Sequence, residues 1–108
     1  MALDFHIAKS ENEASYKKSD ASFDSQAHEL IFYRYGLPTG KFLLFKRMED
    51  YYKDTKYASD ELQALITEIK EIMVLYSDNK QLKKQLNSIL AICESAEKEN
   101  MNVWVYCD

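Results

Sequence analysis

Glycine and proline are almost missing from this sequence: Gly36, Gly40 and Pro38 are the only three in 108 residues. Loops that cradle phosphate need glycines at fixed spacing, because only a residue without a Cβ lets the backbone close on the anion. No G-x-x-x-x-G-K-[ST], G-x-G-x-x-G, G-x-S-x-G or H-E-x-x-H occurs, which excludes the common nucleotide-binding, serine-hydrolase and zinc-protease readings. Long apolar runs are missing as well. The longest, Leu30-Ile31-Phe32-Tyr33 and Phe42-Leu43-Leu44-Phe45, fall far short of the roughly 20 residues that cross a bilayer as a helix, so no membrane association is expected. Met1-Ala2-Leu3-Asp4-Phe5-His6 has neither the basic stretch nor the apolar segment of a signal peptide. The expected location is the cytoplasm.

Cysteine is scarce, and Cys93 and Cys107 form no C-x-x-C and have no histidine pair beside them, so neither a zinc nor a redox motif is present. In a reducing compartment both are expected to stay thiols. Cys93 should be buried as a small hydrophobe, and Cys107 should be more accessible. A basic surplus is absent too: 14 Lys and Arg face 18 Asp and Glu, a net charge of -4. That is the wrong sign for gripping a phosphate backbone, and nucleic acid is excluded as a direct ligand. The imbalance is local. Residues 1–58 carry nine charges of each sign, whereas residues 59–108 carry five basic against nine acidic.

What the chain does have is the composition of a globular protein, with 46% hydrophobic and 30% charged residues. A single domain spanning residues 1–108 is expected, which at this size buries roughly two-thirds of its unfolded surface without needing disulfides or metals. Leu3, Phe5 and Ile7 alternate with Asp4, His6 and Ala8, the period of a half-buried strand over residues 2–9. Residues 10–22 turn polar and read as a loop or a poorly paired strand. Asp24 or Ser25 can cap a helix running to Tyr35 and stopped at Gly36, although Ile31, Tyr33 and Tyr35 also alternate like a strand. A third strand is open in residues 14–23 or 28–35.

The spacing of Leu44, Phe45, Met48, Tyr51 and Tyr52 predicts a helix over residues 41–54. Ser59 then offers an N-cap, with Asp60 and Glu61 in the first turn. Leu62, Leu65, Ile66, Ile69, Ile72, Met73 and Tyr76 form the clearest helical stripe in the chain. Val74 and Leu75 lie off it, so that end of the helix is expected to be covered from more than one side. Asp78 and Gln81 resemble a capping box, and Leu82, Leu86, Ile89, Cys93 and Ala96 repeat the helical period to about Lys98. The short Ser77–Asn79 link folds these two helices into an antiparallel hairpin. Val103 to Cys107 are nearly all β-branched or aromatic and read as a closing strand. Strands at the two ends need partners for their backbone groups. The predicted fold is therefore α+β: mostly helical, with the helix hairpin of the second half packed on a small sheet made by the N- and C-terminal strands.

Candidate chemistry is thin. His6 and His28 would have to converge with carboxylates or cysteine to act as bases or metal ligands, and they read instead as surface or locally hydrogen-bonded imidazoles. The acidic-aromatic run from Glu49 to Tyr57 has no glycine and lacks the spacing of a calcium loop. No catalytic, cofactor-binding or metal-binding residues are assigned. Eight tyrosines are notable, since a flat apolar ring with a polar tip suits recognition surfaces as well as core edges.

A small acidic α+β chain opening on a strand at Met1-Ala2-Leu3-Asp4-Phe5, dominated by amphipathic helices and without catalytic motifs, resembles the immunity proteins that bacteria keep beside polymorphic or contact-dependent toxins. The resemblance is one of type over the whole chain and carries over no residue. It implies a non-enzymatic protein that binds a cognate toxin domain in the cytoplasm and occludes its active site. A basic toxin would meet an acidic inhibitor with complementary potential. The candidate contacts are Asp60, Glu61, Glu68, Glu71, Glu94, Glu97 and Glu99, with Tyr51, Tyr52 and Tyr57 as aromatic anchors. The alternatives are a structural or homodimeric module in which a second copy covers the sheet edge or Val74 and Leu75, and a small enzyme with an unrecognised site.

Overall fold

A computed structural model describes residues 2–16, 18–50 and 52–107. The predicted α+β architecture is present. Strand β1 (Ala2–Ala8) and strand β4 (Asn102–Cys107) pair antiparallel at the centre of a four-stranded sheet of order β2-β1-β4-β3. Strand β2 (Ala21–Asp24) flanks β1 and strand β3 (Thr55–Tyr57) flanks β4, both antiparallel. The alternation read in residues 2–9 sets the inner face: Leu3, Phe5, Ile7, Phe23, Tyr57, Val103 and Val105 are all buried. Against that face lies the hairpin of α3 (Leu62–Leu75) and α4 (Lys80–Lys98), whose Leu65, Ile69, Ile72, Leu86, Ile89 and Cys93 are fully buried, as the stripes predict.

The local signals differ in detail from those expected. Asn79, one residue later than Asp78, caps α4 by accepting from Leu82 N at 3.0 Å. At the other end Asn100 takes the left-handed conformation (φ 59°), and Met101 N donates back to Ala96 O at 2.9 Å. That closes a helix terminus in the way a C-terminal glycine usually does. The α3 start is a 3-10 turn over Ser59–Glu61, entered from Ala58 rather than capped by Ser59. Glu61 accepts from Ala58 N at 3.0 Å. The polar stretch after β1 holds a short helix, α1 (Glu11–Tyr16), followed by β2, so the third strand lies at the end of the 14–23 window.

Helix α2 (Ser25–Glu29) is capped by Asp24, which accepts from Ala27 N at 2.8 Å, and it widens into a π-helical turn over Leu30–Arg34. Tyr35 N reaches back five residues to Leu30 O at 2.9 Å. The wider turn lets the neighbours Ile31 and Phe32 both face the core.

The predicted helix over residues 41–54 does not form. Among the described residues of that span only one 3-10 turn, Phe45–Met48, is helical, and the residues buried are Phe42, Phe45 and Met48, at a spacing of three rather than 3.6. The physical cause comes from α3. The Glu68 carboxylate accepts from Phe45 N at 2.9 Å and from Leu44 N at 3.4 Å, satisfying N–H groups that would otherwise need a preceding helical turn. Phe42 sits at φ 57°, a conformation costing a bulky residue about 1–2 kcal/mol; burial of its ring offsets that.

Both histidines are buried, so the surface alternative fails, while His28 is hydrogen-bonded, to a carbonyl 20 positions away. His6 faces outward from the sheet as its place on β1 implies, yet it is 8% exposed; its Nδ1 and the nearby Tyr106 hydroxyl are buried without hydrogen-bond partners among the described residues. His28 is 2% exposed, and its Nε2 lies 2.6 Å from Met48 O, tying α2 to the 3-10 turn. Burial lowers the His28 pKa, opposed by its hydrogen bonds to the Met48 and Glu49 backbone. That nitrogen holds the fold together.

Both cysteines are thiols, Cys93 buried and Cys107 half-buried. Burial pushes the Cys93 thiol up to about 12, which suppresses the reactive thiolate. A thiol reagent at neutral pH should therefore label one cysteine per native chain quickly and the second only on unfolding. Rapid labelling of both would show that α4 does not present Cys93 to the core.

Candidate protein-binding surface

The antiparallel hairpin brings the start of α3 beside the end of α4, and this places Asp60, Glu94, Glu97 and Glu99, all exposed, at one end of the molecule. The distribution along α4 is polar in the electrical sense. Lys80, Lys83 and Lys84 stand at its N-terminal end and Glu94 and Glu97 near its C-terminal end. Lys80 and Glu97 oppose the helix dipole, whereas Lys98 in the last turn agrees with it, each by about 0.3–1 kcal/mol.

The other candidate contacts are not gathered there. Glu61 is half-buried and held by Arg47: Nη1 donates to Oε1 at 3.1 Å, and a second ion-paired contact joins Nη2 to Oε2. That pairing keeps the Glu61 carboxyl below its ordinary range and raises the Arg47 guanidinium. Arg47 Nη1 also donates to Lys56 O at 3.3 Å. The pair thus blunts the outer edge of β3, where unpaired backbone would invite another strand. Glu68 is committed to the Leu44 and Phe45 amides. Glu71 is exposed, but it lies near the opposite end of α3, beside Phe42 and Val74.

Of the tyrosines, Tyr52 is 78% exposed, whereas Tyr57 is fully buried, donating to Leu44 O at 2.6 Å with the Arg47 guanidinium 5.6 Å from its ring. Tyr57 is a core residue, not an anchor: it points inward with Val103 and Val105 because it shares their face of the sheet. Tyr51 lies outside the described residues. Tyr52 does not join the acidic group either. The segment that carries it approaches the Cys107 end of β4, where Asp54 accepts from Cys107 N at 3.1 Å, while Ser59 meets Asn102 at the other end.

Two surface features lie apart from the residues expected to meet a toxin. A trough of about 610 Å³ runs between β2 and α4, with Lys80, Lys84, Ser22 and Asp20 on its walls. Val74 and Leu75, expected to be covered, are instead 74% and 55% exposed; their position off the helical stripe was the signal. Among the described residues no group of three or more His, Cys, Asp or Glu is placed to hold a metal ion, and no helix is long and apolar enough to cross a membrane. No family model matches the chain, and no curated protein or solved structure matches it.

Proposed function

We propose that this protein is a non-enzymatic binding module, a cytoplasmic inhibitor of the immunity type that occludes the active site of a basic toxin domain. The supporting observation is the group of exposed carboxylates, Asp60, Glu94, Glu97 and Glu99, that the antiparallel hairpin places at one end of the molecule. Charges of this kind on an interface rim steer encounter more than they hold the complex together. Glu61 and Glu68 belong to the scaffold behind it, and Tyr57 to the core.

The test uses the product of the adjacent gene as the binding partner and measures association and dissociation separately. Glu94→Lys with Glu97→Lys should slow association about tenfold at low ionic strength and flatten its dependence on salt, leaving dissociation little changed. Lys83→Glu, on the far end of the same helix, should leave association unchanged or faster. Association indifferent both to salt and to the paired reversal would eliminate the acidic end as the landing surface.

A further inference from the structure

We infer that a second copy of this chain covers the C-terminal end of α3. Val74 and Leu75 are exposed there, on the rim of a cleft of about 260 Å³ completed by Pro38, Lys41, Phe42 and Glu71. The apolar surface continues past Leu75 onto Tyr35, which stacks on Tyr76 with ring centroids 5.5 Å apart. Val74, Leu75 and Tyr35 are all more than half exposed, and apolar side chains clustered in this way on a monomer's surface mark an interface.

The surface is fixed in shape before anything binds. Tyr76 donates its hydroxyl proton to Gly36 O at 2.6 Å, pinning the start of the loop to α3. Pro38 O accepts both from Lys46 Nζ at 2.6 Å and from Lys41 N at 3.3 Å. Gly36 (φ 73°) and Gly40 (φ 80°) supply left-handed turns on either side of Pro38. A wall built in this way loses little conformational freedom on association.

The charges on the rim select the occupant. Lys41 stands on the loop wall and Glu71 on the α3 wall, and among the described residues neither forms an ion pair within the chain. A strongly basic partner would meet Lys41 with like charge, and a strongly acidic one would meet Glu71. A two-fold axis through the cleft mouth instead sets Lys41 of each copy against Glu71 of the other while the two Val74–Leu75 faces meet. An isologous contact of this kind requires a self-complementary patch, and the equal and opposite rim supplies one. A contact confined to these few side chains gives a weak dimer, forming at chain concentrations of tens to hundreds of micromolar. It leaves the acidic end of the hairpin uncovered and is independent of partner binding there.

Sedimentation velocity on the purified chain between about 5 and 500 μM tests this directly. The sedimentation coefficient should rise from monomer to dimer across that range. Val74→Asp, at an exposed position that leaves the fold intact by circular dichroism, should shift the midpoint at least tenfold upward. Lys41→Glu and Glu71→Lys should each weaken self-association, whereas an equimolar mixture of the two should restore it, because each mixed pair again has opposite charges in both contacts. A chain that stays monomeric to 500 μM, or a dimer indifferent to Val74→Asp and to the mixing of charge variants, would overturn the inference. Neither result bears on association with a basic partner, which is read separately from the Glu94 and Glu97 variants.

Discussion

A chain ending at Met101 is expected to show no cooperative thermal unfolding transition. Strand β4 is an interior strand, hydrogen-bonded to β1 on one side and β3 on the other, so its removal strands the backbone groups of both neighbours. Val103 and Val105 are fully buried beneath it. Burial of two such side chains contributes about 3–6 kcal/mol, and each orphaned buried backbone group costs a further ~1–3 kcal/mol. Asn102 adds a clasp of its own, accepting from Ser59 N at 3.0 Å and donating to Lys9 O at 3.2 Å. Against a total stability of about 5–15 kcal/mol for a domain of this size, the sum leaves no folded state to melt. Trp104→Ala in the full chain should be milder, because that ring is half-buried and lies on the outward face under Lys56, whose Nζ is 5.0 Å from its centre. A truncated chain that melts cooperatively within a few degrees of the full one would show that β4 is dispensable.

The second large effect is alkaline. Burial raises the Cys93 thiol to about 12 and carries the Tyr57 hydroxyl well above the ordinary tyrosine range, with the nearby Cys93 charge adding to it. Both groups are neutral when protonated, and the folded chain holds those protons more tightly than the unfolded chain does. Above pH 9 the unfolded state therefore binds fewer protons, and stability must fall as pH rises. Below that value neither group contributes a slope. Each contributes a loss of about 1.4 kcal/mol per pH unit, from pH 9 for Cys93 and from pH 10 for Tyr57. By pH 12 Cys93 alone accounts for about 4 kcal/mol. Urea unfolding at intervals from pH 8 to 11 measures the slope. Cys93→Ala should lower stability at every pH by leaving a small cavity, yet remove the part of the slope that begins at pH 9. Equal slopes in the two chains would mean that Cys93 is solvated in the native state.

The elements legible in the sequence are those whose side chains answer to one neighbour at one period. The stripes from Leu62 to Tyr76 and from Leu82 to Ala96 each meet a single face, and Leu3, Phe5 and Ile7 meet that same face from the sheet. Residues 41–54 are different because their conformation is set from a distance: the Glu68 carboxylate and the His28 ring fasten the segment through its backbone amides and the Met48 carbonyl. No local pattern encodes a carboxylate arriving from 23 positions away. Strand β3 escapes notice for a related reason, since Thr55, Lys56 and Tyr57 are too few to show a period and are strand only because β4 passes beside them. The candidate surface divides in the same way. Asp60, Glu94, Glu97 and Glu99 could be placed together once the hairpin was recognised, but that Glu61 and Glu68 serve the scaffold and Tyr57 the core depends on Arg47 and Leu44, which only the folded chain brings near.

The central pairing of β1 with β4 also dictates the order in which the molecule can be completed during synthesis. Trp104 donates to Ala8 O across 96 positions, and every rung of that ladder is of similar span. At translation speeds of about 5–20 residues per second, β1 waits on the order of 5–20 s for its central partner to be made. Until then only β2 can pair with it, and the apolar side chains of Leu3, Phe5 and Ile7 have no finished sheet to join. Helix α3 is made within that interval, but α4 ends at Lys98, four residues before β4 begins, so the hairpin that packs on the sheet is complete only as β4 is made. For most of its synthesis the nascent chain thus carries β1 with only β2 beside it, and the helix hairpin and the centre of the sheet are completed together at the end.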